Sequence, residues 1–478
     1  MTIPSDPLSR QAQAFTQGAK LGADYLQALS DRQVNADAAQ LPALDIALPQ
    51  TGHSANDVLS LMQDAGSSGT VATAAGRYFG YVIGGALPAA SGARALLSAW
   101  DQCANADTGP SVMQMEQTAV RWIIDLLNLP DQTEGAFTTG ATMANMTLLA
   151  TARDTLLSRL GHPRGKGLLD APALRVMASA EIHATVLKSL RLIGLGSDSI
   201  ERVPTDDQGR MCADKLPQLD ASCIVLAQAG NVCTGAFDPI GEIAETCQAA
   251  GAWLHVDGAF GLWARTVPEL ADGLTGLEEA DSWVVDAHKT LNAPYDSGLA
   301  LCRHPEEMRA SMAIGAAYLP PTDPSPADLT PEFSRAARGA ETYAALLSLG
   351  REGLNDMILG FHTKATRLAD ALRHEGFTVP HQVHFNQVFV TLPDSPELCA
   401  AITAEVQASG EAWFGAAAWQ GQSGFRLSVS NWATAGTSLG SIANFGRIRS
   451  SNHAASCSSS STSCAKPSSA PPPAPGPP

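Results

Sequence analysis

Apolar and polar positions along the chain fall into three regimes. Over the first seventy residues, FTQGAKLGADYLQALSD (15–31) and ANDVLSLMQDAG (55–66) repeat apolar residues at helical spacing, and LPALDIALPQTG (41–52) between them reads as an extended connector. The stretch 92–129, from GARALLSAWDQ through MEQTAVRWIIDLLNL, is again helical, and Pro130 stops it. Short, nearly continuous apolar runs follow: LRVMASA (174–180), ASCIVLAQAG (221–230), AWLHVDGA (252–259), SWVVDAH (282–288) and SGLALCR (297–303). They alternate with helix-like HATVLKSLRLIGLG and IGEIAETCQAAG. Alternation of this kind predicts an α/β unit whose mainly parallel sheet is covered on both faces.

These patterns divide the chain into an N-terminal helical segment (1–75), a large α/β domain (76–320) and a smaller α+β domain (321–449). The last of these opens with a loop rich in Pro and Asp, then carries helical ARGAETYAALLSLGREGL and ATRLADALRHEGF before strand-like VHFNQVFVTL and GFRLSVSN. Residues 450–478, almost all Ser, Ala, Pro and Cys, cannot bury a core and are expected to be disordered.

Composition narrows the function. With 47 acids against 30 bases, the formal charge of -17 argues against a nucleic-acid partner. No run of about 18 apolar residues is present to span a membrane. MTIPSDPLSR lacks the apolar stretch of a signal peptide. None of the nine cysteines has a CxxC partner, which fits reduced thiols in a cytoplasmic protein and offers no metal site.

Candidate chemistry gathers at the strand ends, where parallel sheets bind ligands. AWLHV ends in Asp257, SWVVDA in His288 and Lys289, LRVMASA in Glu181 and His183, and CIVLAQAG in Asn231. Lys289 directly follows an apolar strand. Its stem could be buried with the head in water, or apolar surroundings could leave its amine nucleophilic toward an aldehyde. Asp257 could cap the next helix, or pair with a protonated pyridine nitrogen. Ala259, two residues on, is small enough for a flat ring to lie against. FTTGATMANMTLLATAR is a Gly-containing turn opening a helix, either an ordinary cap or a phosphate cradle to which the Thr142 hydroxyl adds a donor. His183 is either an interior histidine or an imidazole stacked on the ring.

Taken in order, TTGATMAN, EIHATVLKS, GNVCTGAFDPI, HVDGAFG and DAHKTLNAPYDSG resemble the group II pyridoxal-phosphate decarboxylases, which act on aromatic amino acids, glutamate and cysteine sulfinate. The likeness runs from GRYFGYVIGGALP to FRLSVSNWAT, about residues 76–433. It implies the aspartate-aminotransferase-like fold (fold type I, the PLP-dependent transferase fold) and a homodimer with its active site at the interface. Lys289 would carry pyridoxal 5'-phosphate as a Schiff base, Asp257 would hold the ring nitrogen, and His183 would stack on the ring. Gly140, Ala141, Thr142 and His288 would surround the phosphate, Asn231 would stand near the ring, and Arg426 falls where such enzymes often bind a substrate carboxylate. The implied reaction is decarboxylation of an L-amino acid to an amine and carbon dioxide. Alternatives on the same scaffold are another carbon–carbon lyase, an oxidative decarboxylase (aldehyde synthase) or an aminotransferase.

The chain departs from the family pattern in three places. Relatives carry a proton-donating tyrosine on a mobile loop, but LPPTDPSPADLTPEFS has none, leaving Tyr318 just before it as a substitute. Met143 replaces a polar residue of the phosphate turn, and the likeness ends after Thr434. RYFGYVIGGALP offers no arginine cluster for a second carboxylate, which favours a substrate with an uncharged or aromatic side chain.

Overall fold

The computed structural model describes residues 6–314 and 325–436. Its helices, in chain order, are α1 (Pro7–Ala28), α2 (Ala55–Leu61), α3 (Pro88–Trp100), α4 (Pro110–Leu126), α5 (Ala141–Arg159), α6 (Ala184–Leu192), α7 (Ile240–Ala250), α8 (Pro268–Ala271), α9 (Pro305–Met312), α10 (Gly339–His374) and α11 (Pro396–Ser409). The strands are β1 (Glu134–Thr138), β2 (Arg175–Ser179), β3 (Glu201–Val203), β4 (Cys223–Gln228), β5 (Trp253–Asp257), β6 (Ser282–Asp286), β7 (Gly298–Cys302), β8 (Gln387–Thr391), β9 (Gly415–Trp419) and β10 (Gln422–Ser428).

Seven strands form one sheet in the order β1-β7-β6-β5-β4-β2-β3. The block β3-β2-β4-β5-β6 is parallel, as the unbroken apolar runs predict, while β7 pairs antiparallel with both β6 and β1. Successive side chains alternate between two cores. Val225, Leu254, Val256 and Trp283 point into one; Ile224, Leu226, Trp253 and Val284 into the other, against α5. Helix α5 is enclosed on nearly all sides, with Ala144, Asn145, Leu148, Leu149 and Ala152 all buried, so it shows no amphipathic stripe. The second sheet, β8-β10-β9, is antiparallel throughout.

Three sequence expectations change. The helical stretch 92–129 is two helices, because Asp101 turns left-handed and Pro110 begins a new helix after Gly109. The extended connector at 41–52 starts instead inside a 3₁₀ turn, Ala38–Leu44, capped by Asp37. The helical run after residue 339 is kinked at Gly350, whose φ of 62° only glycine adopts readily. Tyr318, the end of the small domain at 449 and the Ser/Pro tail lie outside the described residues. Within them, no helix is long and apolar enough to cross a membrane and no cluster of His, Cys, Asp and Glu could hold a metal.

Candidate active site

The parallel strands deliver their last residues to one cavity of about 210 Å³, walled by His183, Gln228, Asp257, Ala259, Lys289 and Arg426, with Tyr81 and Phe260 at its sides. Lys289, Asp257, His183 and Ala259 are thus brought together at the ends of the parallel strands, and Arg426 joins them from β10 of the second sheet.

Asp257 closes β5 and is held from two directions. One carboxylate oxygen accepts the Ala259 N–H at 3.1 Å, and the other accepts Asn145 Nδ2 at 3.0 Å. Behind it runs a buried chain: Asn145 Oδ1 to His255 Nε2 at 2.7 Å, His255 Nδ1 to Ser282 Oγ at 2.8 Å, and Trp253 Nε1 donating to Ser282 Oγ at 3.0 Å. Burial pushes the His255 pKa down to about 4, so the ring is neutral and can donate through one nitrogen while accepting through the other. Neither Asn145 nor His255 was singled out in the sequence, since they lie 110 positions apart.

Lys289 sits three residues beyond β6. Its Nζ is 2.9 Å from an oxygen of Asp286, a carboxylate to which the strand pattern alone assigns no role. The other oxygen of Asp286 is buried without a hydrogen-bond partner among the described residues. The turn carrying Lys289 is pinned by Asn292, left-handed at φ 59°, whose Nδ2 donates to the carbonyls of Lys289, Thr290 and Ser430 at 2.8–3.1 Å. The two strand ends are also tied to each other, because Asp286 N–H donates to Ala259 O at 2.8 Å.

His183 caps α6: its Nδ1 lies 2.7 Å from Thr185 Oγ1 and accepts the Thr185 N–H at 3.3 Å. The ring stands at the open mouth of the cavity, yet burial, outweighing the opposing pull of Asp257, keeps its pKa below the ordinary histidine value. A neutral ring is suited to stacking. Arg426, on β10, donates to the carbonyls of Val232 (2.8 Å) and Tyr81 (3.2 Å). Burial lowers its pKa, and no carboxylate among the described residues pairs with it.

The Gly140–Thr142 turn and His288 lie beside this cavity, not on its wall. Gly140 (φ 147°, ψ 178°) precedes the first intrahelical bond of α5, Ala144 N–H to Gly140 O at 3.0 Å, so the N–H groups of Ala141, Thr142 and Met143 face outward from a helix N-terminus. A Cβ on Gly140 would come within 3.0 Å of His288 Cε1, and one on Gly298 within 2.5 Å of both Asp286 Oδ1 and Gly140 Cα. The two glycines let the helix start, His288 and the Asp286–Lys289 pair close up. His288 Nε2 is 3.6 Å from Asp286, its Nδ1 accepts the Ser297 N–H at 3.1 Å, and its ring stacks on Tyr295.

Asn231 does not line the cavity. Its Nδ2 donates to Glu181 (2.7 Å) and Gly209 O (3.2 Å), and its Oδ1 accepts the N–H groups of Cys233 and Thr234. With its amide so engaged, Asn231 shapes the loop; Gly230 and Val232 reach the cavity in its place. Glu181 in turn accepts from Trp419 Nε1 at 2.8 Å and Gln420 Nε2 at 3.4 Å, joining the His183 loop to the small sheet.

A lysine amine, a carboxylate fixed by its own hydrogen-bond chain, a neutral imidazole and a helix N-terminus with outward N–H groups fit pyridoxal phosphate. The unpaired buried atoms Asp286 Oδ1 and Gln228 Nε2 mark polar capacity the chain itself leaves unfilled.

Comparison with known proteins agrees with this geometry. The family model described as pyridoxal-dependent decarboxylase conserved domain matches residues 40–392. An aromatic-L-amino-acid decarboxylase of Bacillus atrophaeus is 30% identical over 238 residues, 48% of this chain and 46% of that protein. An L-2,4-diaminobutyrate decarboxylase of Rhizobium meliloti (strain 1021) is 31% identical over 294 residues, 57% of this chain and 56% of that protein. The chain thus spans about half the length of these curated relatives. Among solved structures, Oryza sativa TDC with PLP and tryptamine superposes with a TM-score of 0.86 at 20% identity, covering 95% of this chain and all of that one. Mouse CSAD gives 0.85 at 21% identity, covering 93% and 99%. At such identities the likeness establishes the fold, that of the PLP-dependent transferases.

Proposed function

Because the chain belongs to the pyridoxal-dependent decarboxylase family, we propose that it removes the α-carboxylate of an L-amino acid as carbon dioxide and releases the amine. The observation that carries this reading is the shared cavity of Lys289 and Asp257 at the ends of neighbouring strands.

Pyridoxal phosphate supplies an aldehyde for the Lys289 amine and a cationic ring that takes up the electron pair left at the α-carbon. The residues around it do the rest. Asp257 keeps a proton on the ring nitrogen, and the Asn145–His255 chain stops that carboxylate from turning away. His183 covers one ring face as a neutral imidazole. The helix start at Gly140–Thr142, with His288 beside it, anchors the phosphate. Arg426, the unpaired cation on the wall, holds an anionic group of the substrate, and the remaining surface at Tyr81, Val82 and Phe260 suits an uncharged or aromatic side chain. Orientation of the carboxylate then decides which bond breaks. One proton returns to the α-carbon as the carbon dioxide leaves.

The same reading includes a cytoplasmic homodimer. Helix α1 buries none of its residues, and Leu8, Phe15, Leu26, Leu48 and Met62 are exposed, an apolar arm that a second copy of the chain would cover. Light scattering on the purified protein should give twice the chain mass.

Activity is tested by loading the protein with pyridoxal phosphate and screening the twenty amino acids for carbon dioxide. Carbon dioxide with an equal yield of amine is expected, and borohydride should tag the Lys289 peptide. Ammonia and hydrogen peroxide would point to the oxidative alternative. An untagged Lys289 would overturn the whole reading, and a preference for glutamate or aspartate would overturn the side-chain assignment.

A further inference from the structure

Gln228 is the last residue of β4 and pairs in register with Asp257 on β5, so the two side chains leave the sheet on the same face. Its backbone is fixed twice by Asp238, whose carboxylate accepts the Gln228 N–H at 2.7 Å and whose N–H donates to Gln228 O at 3.0 Å. The point from which the side chain leaves the sheet is therefore fixed. Gln228 is only 5% exposed, it lines the cavity, and its Nε2 is buried with no hydrogen-bond partner among the described residues. A buried amide N–H without an acceptor bears its full desolvation cost, so such groups in native proteins mark a missing partner. No acceptor among the described residues supplies one; the cavity occupant can.

Sheet order says which part of the occupant that is. With the ring nitrogen at Asp257 on β5, the phosphate arm runs toward the Gly140 turn, which follows β1 and packs on β7 through Gly298. Both strands lie on the β6 side of β5. In pyridoxal phosphate the phosphate arm and the phenolic oxygen flank the aldehyde carbon on opposite edges of the ring. The phenolic oxygen thus faces the other side of β5, where β4 ends in Gln228. Asn231, the residue the resemblance put near the ring, is already engaged with Glu181 and Gly209.

We infer that Gln228 is a cofactor-contacting residue whose carboxamide N–H donates to the phenolic oxygen of the cofactor. The inference rests on the reading of the cavity as a pyridoxal-phosphate site. Its consequence is electronic. A phenolate whose charge is partly taken up by Gln228 would stabilise the protonated nitrogen linking the cofactor to Lys289 less, so that proton would leave at lower pH.

The test is a pH titration of the visible absorption of wild-type holoenzyme against Gln228→Met and Gln228→Glu, with thermal unfolding as the fold control. Both variants remove the donor at nearly constant length. The midpoint should rise by about one pH unit in Gln228→Met and by at least as much in Gln228→Glu, with cofactor affinity roughly tenfold weaker. An unmoved midpoint in either folded variant overturns the inference; if the methionine variant does not fold, the glutamate variant decides. Wild-type protein that takes up no colour would instead sink the cofactor reading itself, so the two failures are told apart.

Discussion

Asp257 closes β5 with both carboxylate oxygens engaged, backed by a hydrogen-bond chain through Asn145, His255 and Ser282 to Trp253. Lys289, just past the neighbouring strand, rests on Asp286, whose second oxygen has no partner. One end of the cavity is complete before any ligand arrives. The other is held in a provisional arrangement, because an amine that bonds to an aldehyde gives up its ion pair. Asp286 is then left with His288, 3.6 Å away, as its nearest partner. The contrast separates two tasks: a fixed charge that must not move, and an attachment point that must exchange partners.

Replacing the attachment point gives the largest effect. Lys289→Ala should retain no colour after desalting and lose more than about a thousandfold in carbon dioxide release; persistent borohydride labelling elsewhere in the cavity would break the contrast at its first term. Asp257→Asn should stay coloured while kcat/KM falls about a hundredfold to a thousandfold, since only the ring charge is disturbed. Equal turnover in that variant would show that the carboxylate is no more than a cap.

Asn145→Leu strips Asp257 of a donor and His255 of its acceptor. Stability to urea should drop by about 1–3 kcal/mol, with a smaller loss of rate than in Asp257→Asn. A second effect on stability, of similar size but without consequence for turnover at neutral pH, is one of pH. His255 is held at about 4 in the folded protein against an ordinary value of 6.5, so between those limits the unfolded chain binds a proton that the native chain does not. Its contribution is whole above pH 6.5 and is lost as the pH falls toward 4, at about 1.4 kcal/mol per unit. His255→Gln lacks that slope, and its stability deficit should narrow by roughly 3 kcal/mol over the window. A constant deficit would mean that the ring is not held neutral by burial.

The sequence exposed the parts of this design that are local. Lys289, Asp257 and His183 stand where apolar runs stop, and a strand end is visible in six or seven residues. The parallel strands β2, β4, β5 and β6 were legible for the same reason, whereas β3, three residues long and carrying Glu201 and Arg202, was not. β1 was not, because EGAFT is short and begins with a charge, and neither was β9, whose GAAAW has little strand character. Relationships between distant segments were also hidden. Nothing in TTGATMAN says that Asn145 meets His255, and nothing in AGNV says that the Asn231 amide turns toward Glu181. Gln228 looked like an ordinary strand terminus because its significance is a missing partner, which only a folded neighbourhood reveals.

The knot at Glu181 has a mechanical consequence. It cross-braces the small sheet, through Trp419 and Gln420, to the strap that carries His183. The sheet bearing Arg426 cannot swing like a flap without dragging that strap along. A visiting molecule therefore meets one wall that keeps its contour and charge as it enters.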